Sequence, residues 1–277
     1  VDHPQIAAFA RLAKENTPPV RALEGQKTLI SRTMHGFAYD AVHDEIVVTS
    51  PLAQAVLFFK GDANGETPPA RVIQGPHTRI DGPPDLGNDR VTVDPVNDEV
   101  YVPAVPSSIL VFDRKATGDV PPKRVLTGPD TGFQASGIRG MATVAVDAIH
   151  NVLVVNHANQ LLIFDRTASG NTKPLRVISG PNSGVGQISS FQIYAPKGWI
   201  LANGQGGFIG VWSIEDNGDI PPRWKIPVQQ LTGYTASGIA LDPAHEEVLL
   251  SCAGQRARPR DGIANAVLTF SWPEIYK

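Results

Sequence analysis

The chain has a single cysteine, Cys252, among 277 residues. No disulfide can form within it, and thiolate cages of the zinc-finger kind are excluded. No apolar run approaches the roughly 20 residues that a membrane-spanning helix needs, so no membrane span is expected. Charge of one sign is also missing: 24 basic residues face 27 acidic ones, for a net charge of -3. Such a balance gives no general attraction to a phosphate backbone, and no nucleic-acid partner is expected. GxSxG, P-loop, HExxH and CxxC motifs are absent as well. The Gly-rich run 204–207, GQGG, leads from one strand into another and reads as a turn, since a phosphate cradle needs a helix after it. What the chain has in quantity is 26 glycines and 24 prolines, the punctuation of a turn-rich all-β fold. It starts at Val1, as a mature periplasmic or secreted protein would, and that is the location expected from sequence.

One repeat runs through the sequence. VLFFKGDANGETPPARVIQG (56–75), LVFDRKATGDVPPKRVLTG (110–128) and LIFDRTASGNTKPLRVISG (162–180) align without gaps. GVWSIEDNGDIPPRWKIPV (210–228) follows more loosely, IAAFARLAKENTPPVRALEG (6–25) is a copy at the start, and AVLTFSWPE (266–274) a truncated one at the end. The anchoring aromatics are Phe9, Phe59, Phe112, Phe164, Trp212 and Phe270, spaced by 50, 53, 52, 48 and 58 residues. Between these units lies a second one: GFAYDAVHDEIVVTS (36–50), RVTVDPVNDEVYVPA (90–104), TVAVDAIHNVLVVNH (143–157), FQIYAPKGWILAN (191–203) and GIALDPAHEEVLLSC (238–252). Each is a β-branched run, a polar turn and a second β-branched run, which is a hairpin signature.

Each period therefore holds four short antiparallel strands, a to d, and predicts a β-propeller blade. The whole chain, 1–277, is expected to be a single all-β propeller domain. Five blades are expected, the last taking strands a, b and c from 236–272 and its outer strand from the N-terminal segment 18–25. Six blades remain the alternative, but they would need an a/b pair that the sequence does not show. The run GIALDPAHEEVLLS, followed by the pattern IxVFDRxAxG, resembles the NHL- or YncE-type bacterial propeller repeat. That resemblance covers nearly the whole chain. It implies the fold and a broad range of roles, from scaffold and binding protein to hydrolases and lyases of the gluconolactonase kind, whose acidic metal ligands have no counterparts here.

The repeat also sorts residues by role. His43, His150 and His245 recur at one a–b turn position, and Arg21, Arg71, Arg124 and Arg176 recur in PPxR and its Lys-Pro variant, so both sets read as structural. His35, His157 and Asp89 break the pattern on loops that a propeller places around one mouth of its channel. Two imidazoles and a carboxylate are suited to a divalent metal ion or to acid–base catalysis. The non-repeated Arg32, Arg79, Arg90, Arg139, Arg256 and Arg258, with His77 beside them, give the same loops a basic character suited to a small anionic ligand. Cys252 lies near the same mouth, with no base placed to activate it. Three functions stay open: a binding module for a small molecule or a protein at the mouth, a metal-assisted hydrolase or lyase at the same place, and a pure interaction scaffold.

Overall fold

A computed structural model of the chain describes residues 5–31, 36–80, 90–104, 107–133, 143–186, 190–254 and 265–277. The fold is a five-bladed antiparallel β-propeller with almost no helix. It divides into two compact units, Val1–Gly128 with Ala135–Met141, and Pro129–Gln134 with Ala142–Lys277.

The first unit opens with β1 (Gln5–Ala8) and β2 (Arg21–Glu24), paired as a two-stranded ribbon. Blade 1 is β3 (Phe37–Asp40), β4 (Glu45–Ser50), β5 (Ala55–Lys60) and β6 (Arg71–Gln74). Blade 2 is β7 (Thr92–Asp94), β8 (Glu99–Ala104), β9 (Ser108–Asp113) and β10 (Arg124–Thr127). In the second unit, blade 3 is β11 (Thr143–Asp147), β12 (Val152–His157), β13 (Gln160–Asp165) and β14 (Arg176–Ser179). Blade 4 is β15 (Phe191–Tyr194), β16 (Trp199–Gly204), β17 (Phe208–Ser213) and β18 (Trp224–Ile226), followed by a short helix α1 (Val228–Thr232). The last sheet has three strands, β19 (Tyr234–Asp242), β20 (Glu247–Gly254) and β21 (Asn265–Ser271).

Segment 18–25, expected as the outer strand of the C-terminal blade, holds β2, which pairs with β1 and whose other edge is clipped by Asn64 and Gly65 of blade 1. The anchor aromatics follow from the same pairing. Phe59, Phe112, Phe164 and Trp212 lie on inner strands and are fully buried, while Phe9, just beyond the two-stranded ribbon, is 53% exposed. The two middle strands of blades 1 and 4 read as near-continuous apolar runs because both of their faces are packed in apolar clusters.

The a–b turns are fixed by buried carboxylates. Asp40 and Asp147 each accept the backbone N–H groups two and three residues on and the Nδ1 of a histidine, His43 and His150, at 2.8 Å. Asp94 makes the same turn with the amide of Asn97, and Asp242 with His245. These histidines are turn residues because an imidazole N–H and a primary amide serve the carboxylate alike.

Buried charge ties blade 1 to blade 2. Arg71 grips Glu45 with two nitrogens, at 2.6 and 3.0 Å. Arg114 enters from blade 2, donating to Glu45 at 2.7 Å and to Asp98 at 2.8 Å. In blade 2, Arg124 grips Glu99 in the same bidentate way, and Tyr101 adds a hydroxyl. Removing Arg114, whose side chain is 5% exposed, takes one of two cationic partners from Glu45 and from Asp98 and breaks the charged link between the blades. Arg114→Ala is expected to cost about 2–3 kcal/mol in urea unfolding, and Lys115→Ala on the exposed side of Asp98 less than about 1 kcal/mol.

The same network sets an acid limit. Burial alone would raise Glu99, but the hydrogen bonds from Arg124 and Tyr101 outweigh it and bring its carboxyl from 4.5 down to about 2. Hydrogen bonds from Lys115 and Arg114 hold Asp98 at about 2. A carboxylate whose folded pKa is depressed stabilises the fold above its unfolded value and loses that contribution as pH falls through the folded one. Tm is therefore expected to fall between pH 4.5 and about 2, and Glu99→Gln to flatten that part of the profile.

Candidate functional site

Of the residues singled out at the channel mouth, Arg32, His35, Asp89, Arg139, Arg256 and Arg258 lie outside the described residues. His157 ends β12, is 2% exposed, and its ring lies 5.9 Å from that of Phe133. Among the described residues no three His, Cys, Asp or Glu side chains come together as a metal site would require. Arg79 is exposed, with φ at 59°, and Arg90 is half-buried. His77 is a clip between blades: its N–H and its Nδ1 meet the two oxygens of Asp119, at 2.8 and 2.6 Å. Asp130 with Asn171, and Asn182 with Asp219, occupy the equivalent place.

A different place in the molecule breaks the repeat. Blade 4 carries Trp224 where the other outer strands have Arg21, Arg71, Arg124 and Arg176, and Trp199 where blades 1 and 2 have Glu45 and Glu99. The ion pair has become an aromatic pair: the two indoles meet edge to face, with centroids 5.6 Å apart. Such a pair keeps the two strands together without a desolvated charge. Arg223, one residue earlier, covers Trp199 at 5.2 Å and makes a two-nitrogen pair with Asp216.

Beside this pair a groove of about 490 Å3 opens. Its walls are Pro181, Asn182 and Gly184 after β14, Gln205 and Phe208 around the β16–β17 turn, and the run Pro221–Lys225. The volume lies in the range of natural ligand sites. Gly204 makes room for Phe208, since a side chain there would collide with its ring, and Gly210 makes room for both Trp212 and Phe208. Lys225 is exposed, its ammonium 5.7 Å from the Phe208 centroid, and among the described residues it makes no ion pair. Gln205 uses its nitrogen on Val185 O at 3.0 Å, leaving its amide oxygen to accept. A ligand here meets an apolar floor, one unneutralised cation and a hydrogen-bond acceptor.

These residues were missed in sequence because Pro221–Lys225 sit in the loosely aligned copy, GVWSIEDNGDIPPRWKIPV, and Trp199 in the hairpin unit before it, FQIYAPKGWILAN. The signal was the looseness itself: two tryptophans stand at two paired repeat positions. Cys252 is not part of the groove. It is 4% exposed, and burial pushes its thiol up to about 11. Ellman's reagent at pH 8 is expected to leave it unmodified in the folded protein and to react fully in urea.

The blades define the class as a β-propeller, and comparison with solved structures agrees. A chain in the crystal structure of a mitotic checkpoint complex superposes with a TM-score of 0.53 at 13% identity, over 79% of this chain and 58% of that one. The Myceliophteria thermophila Cps50 (Swd1) β-propeller domain superposes with a TM-score of 0.56 at 14% identity, over 85% of this chain and 70% of that one. This chain thus spans little more than half the length of the first. Likeness at such identities is one of fold. No protein-family model matches the sequence, and no curated protein matches it.

Proposed function

We propose that this propeller is a binding protein that holds a polypeptide partner against blade 4. The observation that carries this reading is the groove. Of the four complete blades, only blade 4 lacks the outer-strand arginine, and that blade opens a partly apolar groove of about 490 Å3 beside a lysine that makes no ion pair among the described residues. A rigid scaffold that varies one blade while keeping the rest is how repeat folds acquire binding sites. The mitotic checkpoint complex, in which a similar fold occurs, is an assembly of proteins, and this supports a protein partner over a reaction centre. The anionic character expected of the ligand stays with this reading, through Lys225. No helix among the described residues is long and apolar enough to cross a membrane.

The reading is tested by panning the folded protein against a random-peptide phage library and mapping the binders by amide hydrogen exchange. Selected peptides are expected to protect 205–208 and 221–226. Binders that protect other blades instead, or none emerging, would remove blade 4 as the binding surface.

A further inference from the structure

An outer strand has one edge that no strand of its own blade covers. In this protein the following blade usually clips that edge. On β2, Ala22 N–H donates to Asn64 Oδ1 at 3.1 Å, Gly65 N–H to Ala22 O at 2.7 Å, and Glu24 N–H to Gly65 O at 3.0 Å. On β14, Val177 N–H donates to Asn217 Oδ1 at 3.0 Å, Gly218 N–H to Val177 O at 2.7 Å, and Ser179 N–H to Gly218 O at 3.2 Å. On β6, Gly118 N–H reaches Val72 O at 2.7 Å and Gln74 N–H reaches Gly118 O at 3.1 Å, with Thr117 in place of the asparagine.

Blade 4 lacks this clip. Lys225 faces Gly210 as Val177 faces Leu162, so its N–H and C=O lie on the uncovered edge. Two residues on, where Glu24, Gln74 and Ser179 donate, stands Pro227, which has no N–H. The stretch after β21 that corresponds to the clip loops has Ile275-Tyr276 in place of Asn-Gly. It forms a 3-10 turn instead, and its Tyr276 hydroxyl donates to Glu247 O at 2.6 Å. Among the described residues none hydrogen-bonds to the outer edge of Lys225. Among the described residues the lysine ammonium beside that edge meets no carboxylate, whereas the clip loops are acidic: GDANGET at 61–67 and IEDNGDI at 214–220.

We infer that the vacant edge of β18 takes an acidic, extended Asn-Gly segment of a partner protein, docked as the internal clips are. Its asparagine oxygen accepts from Lys225 N–H, its glycine N–H donates to Lys225 C=O, and a neighbouring carboxylate meets the Lys225 ammonium over Phe208. Strand-edge recognition of this kind draws affinity from main-chain hydrogen bonds and selectivity from adjacent side-chain pockets. The inference rests on the proposed reading of blade 4 as a binding surface and gives that surface its ligand chemistry.

The probe is a synthetic peptide with the sequence of residues 214–220, IEDNGDI, acetylated and amidated at its ends and titrated into the full chain with NMR detection. Saturable binding is expected, with shifts at 208–210 and 224–226. Lys225→Glu is expected to weaken it about tenfold or more with Tm unchanged, and N-methylation of the peptide's glycine, which deletes one donor, to weaken it comparably. No saturable binding, or binding indifferent to both changes, overturns the inference. So does a dimer of the protein alone that Lys225→Glu dissolves, because the occupant is then a second copy. If library peptides protect blade 4 but carry neither acid nor Asn-Gly, the clip chemistry falls while the binding surface stands.

Discussion

A blade of four strands satisfies its inner backbone by pairing and leaves its outermost edge to be satisfied by something else. That requirement organises this molecule. The repeat meets it with a loop that reaches from one blade to the edge of the one before, where Asn followed by Gly places an acceptor and a donor side by side, and Thr117 followed by Gly118 places two donors on Val72 O. The glycine is needed there for the loop's left-handed turn, with φ at 59° for Gly65 and 87° for Gly218. The second contact of each clip depends on it in turn. Asp119 and Asp219, one residue past the glycine, seat their carboxylates against Gly75 and Gly180, where any Cβ would collide. Edge protection, turn geometry and blade-to-blade cohesion thus come from a few neighbouring residues.

Electrostatics then decides which blades are rigidly joined. Glu45 lies between Arg71 and Arg114, and Arg114 reaches on to the more exposed Asp98, so the charges of the two blades are joined through one half-buried glutamate. The next blades loosen this arrangement stepwise. In blade 3 Val152 replaces the glutamate, and Arg176 turns outward to Glu215 of blade 4. In blade 4 both partners are replaced, and the strands meet through Trp199 and Trp224. An aromatic pair holds as well and does not need the clip beyond it, so the strand most altered in its packing is also the one whose edge is left open.

Much of the fold was legible in the sequence because the repeat is a physical unit. The alternation of β-branched runs with polar turns gave the hairpins, and the structure shows why: in blades 1 to 3 one buried aspartate satisfies three donors at the turn. The four arginines of PPxR and its variant read as structural, and Arg71 and Arg124 are bound to glutamates across their own blades. The pairing of β1 was not legible: its sequence matches the repeat wherever it pairs, and pattern alone does not say that it lies beside β2. The groove was missed for a related reason. Candidates were sought among polar residues that broke the repeat in the loops, whereas the informative breaks are two tryptophans, a lysine and a proline inside or beside the strands.

The clip explains why those four substitutions belong together. Trp224 removes the charge whose partner Trp199 no longer supplies. Lys225 adds a cation in the position where the outer strands of blades 1 to 3 carry valine, beside a ring seated on glycine. Pro227 deletes the donor that an internal clip would have used, and so lowers the advantage that a loop of this chain would have over a segment from elsewhere. Any one of these changes alone is a surface variation of small consequence. Together they convert an edge that the fold normally covers itself into one that selects, by charge and by main-chain geometry, for an acidic strand of another polypeptide.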